Sequence, residues 1–539
     1  MEISFSLNGE PVSADVRDGE RLLEVLRERF GLRSMKDGCA PEGSCGACTV
    51  LVNGRAAVSC AQDATRVQGA EVITLEGLPD ATRDLWANAL VSSGGAQCGY
   101  CTPGIVMKAE ATLARDPAPT REALARSLAG NLCRCTGYVK VLDALETVAA
   151  VKRGELPAPT PGRQAGVGAR ADRYDGRELV LGEFPFVRDM IVPGMLHGAV
   201  VLSAHPRAIV KRIDMSAAAR VPGVVRIASA GDVPGERHQG LIFQDWPLLV
   251  AQGETTRYVG DVLAVVAAET RHVAREAAAL VEVEYEVLEP VLDAMAAIGP
   301  GAPRVHDAGN LLATAVIRLG DVDAVLASAA HVVRETFRTQ AVEHAFLEPE
   351  ACLVVPEPAH DRTDRPRPRL RVYSQGQGVW EDRHQIASLL GLIDADVRVT
   401  QVATGGGFGG KEDLSIQGHA ALLAFLTGRP VHLALSRAES LRLHPKRHAM
   451  VMDYTGACDA EGHLVAVRAR IVGDTGAYAS VGYKVLERAA GHACAAYRVP
   501  NVDVESRTVY TNNPPAGAFR GFVAVQVDFA MEGILDRLA

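Results

Sequence analysis

The sequence predicts an α+β chain of several modules from three observations. Short alternating strands give way to helical periodicity and back again, two sets of four cysteines lie within the first 135 residues, and two breaks are rich in Pro and Gly. At 539 residues, 48% of them hydrophobic, the chain can bury several cores, and length alone sets an expectation of roughly three to five domains. A net charge of −9 without long charge blocks argues against a nucleic-acid partner. The longest apolar stretches, such as VLAVVAA at 262 to 268 between Asp261 and Glu269, are too short to span a membrane. The start MEISFSLNGE lacks the basic and apolar regions of a signal peptide, so a soluble, cytoplasmic protein is expected. Few aromatics (5%) beside abundant Ala and Gly fit a tightly packed enzyme better than a binding module.

Residues 1 to 78 open with the alternating ISFSLNG, a turn at Asn8 and Gly9, and a short helix in ERLLEVLRERFG that Gly31 can end. A cysteine loop, the strand TVLVNG and a further strand near EVITLEG complete a small β-grasp layout of plant-type 2Fe-2S ferredoxin kind. From 79 to 153 the pattern is helical, in RDLWANALVSS, GIVMKAEATLAR, REALARSLAG and VLDALETVAAVKRG. Residues 154 to 184 begin with a Pro/Gly-rich stretch that has no apolar period, and read as a linker. Residues 185 to 297 carry the strands LHGAVVLS, VVRIAS and VLAVVAA, the helix HVAREAAALV and the alternating LVEVEYEV, a compact α+β module. After the break IGPGAPRV, residues 310 to 539 alternate strands such as RLRVYSQ and LVAVRARIVGDTGAY with helices such as QGHAALLAFLTG. The segment PEPAHDRTDRPRPR within that region reads as a surface excursion.

The cysteines set the reaction type. Cys39, Cys45, Cys48 and Cys60 sit in a Gly-rich loop and after a short strand, and Cys98, Cys101, Cys133 and Cys135 lie in QCGYCTPG and NLCRCTGY at helix ends. Four thiolates complete a 2Fe-2S site, glycines let backbone N–H groups approach its sulfurs, and helix N-termini favour its negative charge. Two such sets mean electron transfer. Structural zinc is the competing reading, since each set can also supply a tetrahedral ion, whereas disulfides suit a secreted chain. The first gap holds five residues, Ala40 to Ser44, where the plant-type spacing has four, which makes Cys39 the least secure ligand.

The string GGGFGGKE at 405 to 412 satisfies both a P-loop and a dinucleotide pattern, and both fail on the neighbouring residues. Glu412 stands where a P-loop needs Ser or Thr for magnesium, and no acidic ribose partner is placed after the string. His444 and His448 are spaced like a zinc pair, but Pro445 breaks the helix between them, and they read as structural. Cys352, Cys458 and Cys494 are isolated and read as small core residues. Ser374 has no recognisable triad partner.

The chain resembles the molybdenum hydroxylases, the family of xanthine dehydrogenases and aldehyde oxidoreductases. The most specific matches are the two cysteine sets in this order, QCGYCTPG with NLCRCTGY, GGGFGGKE, and AFRGF at 518 to 522; HGAVVLSAHPRA, GDVLAVVAAET and VEHAFLEPEA add to them. The resemblance implies a β-grasp 2Fe-2S ferredoxin domain, a helical 2Fe-2S domain, an α/β hammerhead domain and a first molybdopterin-binding domain. It further implies two 2Fe-2S clusters and a molybdenum–molybdopterin cofactor in its cytosine dinucleotide form. No FAD domain intervenes, so a separate electron acceptor such as a flavoprotein is expected. By the same resemblance Gln375 hydrogen-bonds a molybdenum oxygen, Phe408 and Gly409 place backbone amide near the metal, and Glu412 and Arg520 face a purine-like substrate. The implied reaction is hydroxylation of an N-heterocycle with water as oxygen source. Aldehyde or carbon monoxide oxidation, and a non-catalytic electron-transfer subunit, stay open as alternatives. The family's general base lies in a second molybdopterin domain that these residues do not match, so either a second polypeptide carrying it is expected or these residues are a fragment of a longer product.

Overall fold

A computed structural model describes residues 1–160, 162, 166–169, 171–358 and 369–539. It divides into two compact units: residues 1–190 with the excursions 345–349 and 402–406, and residues 191–344, 350–401 and 407–539. The segment from 359 to 368, most of the expected surface excursion, lies outside the described residues, as do 161, 163–165 and 170 of the expected linker.

The first unit begins with the hairpin of β1 (Glu2–Leu7) and β2 (Glu10–Asp15). Asn8 at φ 54° and Gly9 at φ 91° make the turn that the Asn-Gly pair predicts. Alternation buries Ile3, Phe5 and Leu7, and a mixed five-stranded sheet forms in the order β2-β1-β5-β3-β4, with β3 (Thr49–Val52), β4 (Arg55–Val58) and β5 (Glu71–Ile73). The helix α1 (Leu22–Glu24) continues as a π-helical turn through Arg29, and buries Leu22, Leu23, Val25 and Leu26. The helical part follows as α2 (Asp80–Ser93), α3 (Thr102–Arg115), α4 (Arg121–Ser127) and α5 (Val139–Lys152). Gly94, left-handed at φ 75°, ends α2, and the Thr120 hydroxyl accepts from the Ala123 amide to cap α4.

The expected linker is in part an ordered element. Helix α6 (Gly176–Leu181) buries Leu179, Val180 and Leu181. Its apolar run, too short to display a period, gave no signal in the sequence. Behind it Asp189 makes a buried ion cluster, accepting from Lys36 at 2.6 Å and Arg27 at 2.8 Å, while Arg188 pairs with Asp37 at 3.0 Å. Burial alone would raise the Asp189 carboxyl, but Lys36 and Arg27 beside it bring it below the usual range.

The second unit holds a seven-stranded sheet in the order Val397–Gln401, Arg369–Ser374, Ala351–Glu357, Val431–Ala434, Leu196–Leu202, Val262–Ala268 and Val224–Ala228. The unbroken apolar run of Val262–Ala268 is buried throughout, as an inner strand covered on both faces requires. Helix Gln417–Thr427 covers this sheet with Leu422 and Leu423. Strands from either side of the break near 297 pair here, Val431–Ala434 running parallel to Leu196–Leu202, so that break is not a sheet boundary. A five-stranded sheet of Leu311–Leu319, Asn501–Tyr510, Leu464–Gly476, Ala449–Cys458 and His331–Thr339 packs against the helices Gly482–His492 and Ala524–Leu538.

Asp189→Asn should destabilise the first unit by about 3 to 5 kcal/mol, because two buried cations lose their counter-charge. A carboxyl held below its unfolded value contributes stability above that value and loses it as pH falls. The acid-induced rise in amide exchange of residues 22–37 should therefore shrink in the variant, and urea titration read by the same exchange measures the loss.

Candidate functional site

All eleven cysteines are free thiols. Cys39, Cys45, Cys48 and Cys60 are buried together, with the Cys39 and Cys60 sulfurs 4.0 Å apart and the Cys60 amide donating to the Cys48 sulfur at 3.4 Å. The five-residue gap is taken up by a turn: Ala40 adopts φ 46°, and the Glu42 amide donates to the Cys39 carbonyl at 3.4 Å. In the second set Cys98 and Cys135 have sulfurs 3.5 Å apart. Cys101 caps the N-terminus of α3, with Pro103 in its first turn, so the positive end of the helix dipole meets this set. The hydrogen bond from Cys101 brings the Cys133 thiol down to about 5, toward the thiolate that metal binding requires. These donor sets fit two 2Fe-2S clusters.

The two sets are tied by backbone. The Leu132 amide, next to Cys133, donates to the Cys45 carbonyl at 2.9 Å, and Asn131 Nδ2 bonds the carbonyls of Gly46 (3.0 Å) and Gly104 (3.2 Å). A Cβ on Gly46 would lie 2.3 Å from the Gly130 oxygen, and Gly46 sits at φ 68°, so only glycine permits this approach. Tyr100, beside Cys101, donates its hydroxyl to the Asp37 carbonyl at 3.2 Å. The excursion segments lie in this unit as well: Glu348 accepts from the Gly405 amide at 2.7 Å, and a Cβ on Gly405 would meet both Glu348 and Tyr100.

In the second unit, strand Arg369–Ser374 delivers Gln375 to a buried position where its amide oxygen accepts from Lys411. Gln377 accepts from the Gly409 amide at 3.0 Å and the Lys411 amide at 3.3 Å, so its side chain holds the glycine loop. Phe408 is left-handed at φ 56° and Gly409 at φ 99°, and a Cβ on Gly409 would press on the Ala518 carbonyl at 2.7 Å. The Arg520 amide donates to the Phe408 carbonyl at 2.9 Å, joining AFRGF to GGGFGGKE. Glu412 is half-buried and burial raises its carboxyl, while the Arg520 side chain is exposed. Neither side chain has a hydrogen-bond or ion-pair partner among the described residues.

Supporting groups lie beneath. Ser374 donates to Asp382 at 2.8 Å, and burial pushes that carboxyl up to about 7 against this bond. Asp413, bonded by Ser480 at 2.7 Å, is likewise raised by burial to about 7. His444 faces Glu343 at 2.7 Å through Nε2 and Glu350 at 3.0 Å through Nδ1, and Lys446 reaches Glu343 at 2.7 Å. Burial opposes ionisation of Glu350, yet His444 brings it down to about 2. Glu343, His344 and His444 offer ligand atoms within 4.8 Å of one another, but the Lys446 ammonium already supplies the cation that Glu343 needs. His448 is buried near Thr475, so both histidines of LHPKRH are built into the interior.

Sequence reasoning missed Gln377, Lys411, Asn131 and Arg447. Asn131 opens NLCRCTGY and Lys411 lies in GGGFGGKE, both already singled out, whereas Gln377, two residues past Gln375, and Arg447 carried no signal.

Four family models match in order: a 2Fe-2S iron-sulfur cluster binding domain over residues 5–73, a [2Fe-2S] binding domain over 74–146, the aldehyde oxidase and xanthine dehydrogenase a/b hammerhead domain over 181–289, and a molybdopterin cofactor-binding domain over 305–539. The nicotinate dehydrogenase large molybdopterin subunit of Eubacterium barkeri is 38% identical over 69% of this chain and 85% of its own length. The chain belongs to the molybdenum hydroxylase family. A probable xanthine dehydrogenase subunit of Bacillus subtilis is 39% identical over 68% of this chain and 48% of that protein. The solved aldehyde oxidoreductase of Desulfovibrio gigas superposes with a TM-score of 0.93 at 29% identity, over all of this chain and 61% of that one. The chain thus spans about half to three fifths of the length of several relatives it matches. In this member of the family the modules are those of an α+β multidomain fold with two 2Fe-2S binding domains. No helix among the described residues is long and apolar enough to cross a membrane.

Anaerobically purified protein should hold about four irons per chain. Cys135→Ser should halve that content and leave the spectrum of the other cluster, as metal analysis and paramagnetic resonance would show; zinc in place of iron is the opposing result. A second expectation concerns Asp382. A carboxyl whose folded value is raised contributes stability that is complete below its unfolded value and lost as pH rises toward 7. Asp382→Asn should therefore raise the thermal midpoint at pH 8 more than at pH 5.

Proposed function

We propose that this chain is the iron–sulfur and first molybdopterin-binding part of an enzyme that hydroxylates a purine-like N-heterocycle, with water as oxygen source. The observation behind this reading is a pair of groups on joined loops whose side chains have no hydrogen-bond or ion-pair partner among the described residues: Glu412, half-buried, and Arg520, exposed, connected through the Arg520 amide and the Phe408 carbonyl at 2.9 Å. A carboxyl and a guanidinium can bond ring nitrogens and carbonyl oxygens, and the cation stabilises negative charge developing on the ring. An aldehyde needs neither.

The eight cysteines Cys39, Cys45, Cys48, Cys60, Cys98, Cys101, Cys133 and Cys135 hold the clusters in this reading, and Gln375 with the Phe408–Gly409 backbone holds the molybdenum cofactor. When bound, that cofactor activates water and accepts two electrons, which the clusters pass on singly. Gln375 orients by its amide, kept in place by Lys411. Glu412, its carboxyl raised by burial, is suited to share a proton with a ring nitrogen. We also propose a separate polypeptide carrying further molybdopterin-binding surface and a separate electron acceptor; two relatives bear names that mark them as subunits, which supports this. Aldehyde oxidation is the second reading, favoured by the fold's likeness to the aldehyde oxidoreductase over the whole of this chain.

Arg520→Met should cost about 2 to 4 kcal/mol in kcat/KM for an N-heterocycle, the scale of one preorganised charge donor, and leave aldehyde turnover unchanged. Xanthine, hypoxanthine, nicotinate and small aldehydes compared in wild type and variant decide it. Aldehydes turned over fastest, with the variant neutral, would favour the second reading.

A further inference from the structure

The loop that carries the last two cysteines of the second set, from Asn131 to Tyr138, closes on itself around Cys133. Gly137 and Tyr138 are both left-handed, at φ 64° and 66°. Glycine takes that conformation freely, whereas a tyrosine is strained in it and must be held there by the contacts it makes. The Tyr138 hydroxyl accepts from the Cys133 amide at 2.8 Å and donates to the Asn131 carbonyl at 3.0 Å. The Tyr138 amide donates to the Thr136 hydroxyl oxygen at 3.2 Å. One end of the tyrosine thus fixes the backbone at Cys133, and the other end fixes the hydroxyl of Thr136.

That hydroxyl lies 3.1 Å from the Cys133 sulfur. Between an alcohol and a thiol either group can donate. A cysteine that holds a metal is a thiolate with no proton to give, so in the assembled site only Thr136 donates. Its oxygen already accepts from the Tyr138 amide, which leaves the O–H to point at sulfur. The Cys133 sulfur also accepts from the amides of Cys135 and Thr136. It therefore gathers backbone donors and one side-chain donor, and the side-chain donor is the one that a substitution can remove.

Reduction adds one electron, and so one negative charge, to a cluster whose thiolates are already negative. A hydrogen bond to a thiolate strengthens as that charge grows, so the reduced form gains more from it than the oxidised form does. We propose that Thr136 is a tuning residue: its hydroxyl, aimed by the Tyr138 amide, donates to the Cys133 thiolate and raises the reduction potential of the helical-domain cluster. This sets how a single electron divides between the two clusters. The proposal rests on the reading of Cys98, Cys101, Cys133 and Cys135 as a 2Fe-2S site.

The test uses the assembled holoenzyme with Thr136→Val, Thr136→Ser and Tyr138→Phe, in redox titrations followed by paramagnetic resonance. Metal analysis comes first. Zinc, or about two irons per chain in place of four, ends the reading of the second set as a cluster, whereas full iron with an unmoved midpoint in Thr136→Val ends only the role of Thr136. In Thr136→Val the ratio of reduced to oxidised helical-domain cluster at a fixed potential should fall about tenfold, a midpoint lower by about 59 mV for one electron, while the ferredoxin-like cluster keeps its own. Thr136→Ser retains the hydroxyl and should stay within about threefold of wild type in that ratio. Tyr138→Phe loosens the turn but keeps the donor, so amide exchange at Cys133 should quicken with no fall in the midpoint. A fall in Tyr138→Phe as large as in Thr136→Val overturns the proposal, as does a rise in Thr136→Val or a serine variant no closer to wild type than the valine one. Where Thr136→Val does not keep the cluster, the wild type alone decides. A brief exchange into D2O should remove one strongly coupled proton from the electron–nuclear double resonance spectrum of the reduced helical-domain cluster, because a hydroxyl proton exchanges faster than a hydrogen-bonded amide; a spectrum left unchanged overturns the role of Thr136.

Discussion

Gly46 carries no side chain, and its carbonyl accepts from the Thr49 amide, the Thr49 hydroxyl and Asn131 Nδ2 at 3.2, 2.7 and 3.0 Å. Over the same spot a Cβ on Gly104 would come within 2.3 Å of that oxygen. Bare backbone at this point is what lets the loop of the first four cysteines meet the start of α3 and the loop before Cys133. The direct bond from the Leu132 amide to the Cys45 carbonyl depends on it. Two cysteine sets read as separate motifs become one connected framework because two glycines, Gly46 and Gly104, and one asparagine allow the contact.

Buried charge imposes the second constraint. Lys36, almost fully excluded from water, has to be answered where it stands, and Asp189 answers it from 153 residues along the chain. The segment after α6 is thereby held, although it closes a stretch that the sequence presents as a linker. In the second unit Glu343 and Glu350 are answered by His444 and Lys446 in the same manner. Such clusters are weak evidence for stability, because desolvation consumes much of the Coulombic gain, but they are costly to break and so specify one arrangement. Both stand under segments that carry chemistry.

The loop residues of the second unit divide by whether their polar groups are satisfied within the chain. Gln375 and Gln377 are: one receives Lys411, the other receives two amides of the glycine loop. Glu412 and the Arg520 side chain have no such partner among the described residues, and they are the groups to which a substrate role is assigned. A polar group left unmatched in a half-buried position costs free energy, and sites for ligands are where such a cost is commonly retained.

Modules and donor sets were legible in the amino-acid sequence without coordinates. Cysteine spacing, the Asn8–Gly9 turn, the apolar alternation of β1 and the buried run of Val262–Ala268 are local patterns, and local patterns survive without tertiary context. GGGFGGKE and AFRGF also stood out, though not what joins them. It took the folded chain to establish that strands on both sides of the break near 297 share one sheet, and that α6 is a helix inside an expected linker. The same holds for the division of GGGFGGKE, whose first two glycines belong to one unit and the remainder to the other, and for Arg447, which came to lie on Phe519 and Arg520. Most of these are pairings between residues tens to hundreds of positions apart. A pairing of that kind is chosen by which surfaces and charges must be buried together, and a one-dimensional period carries no record of it.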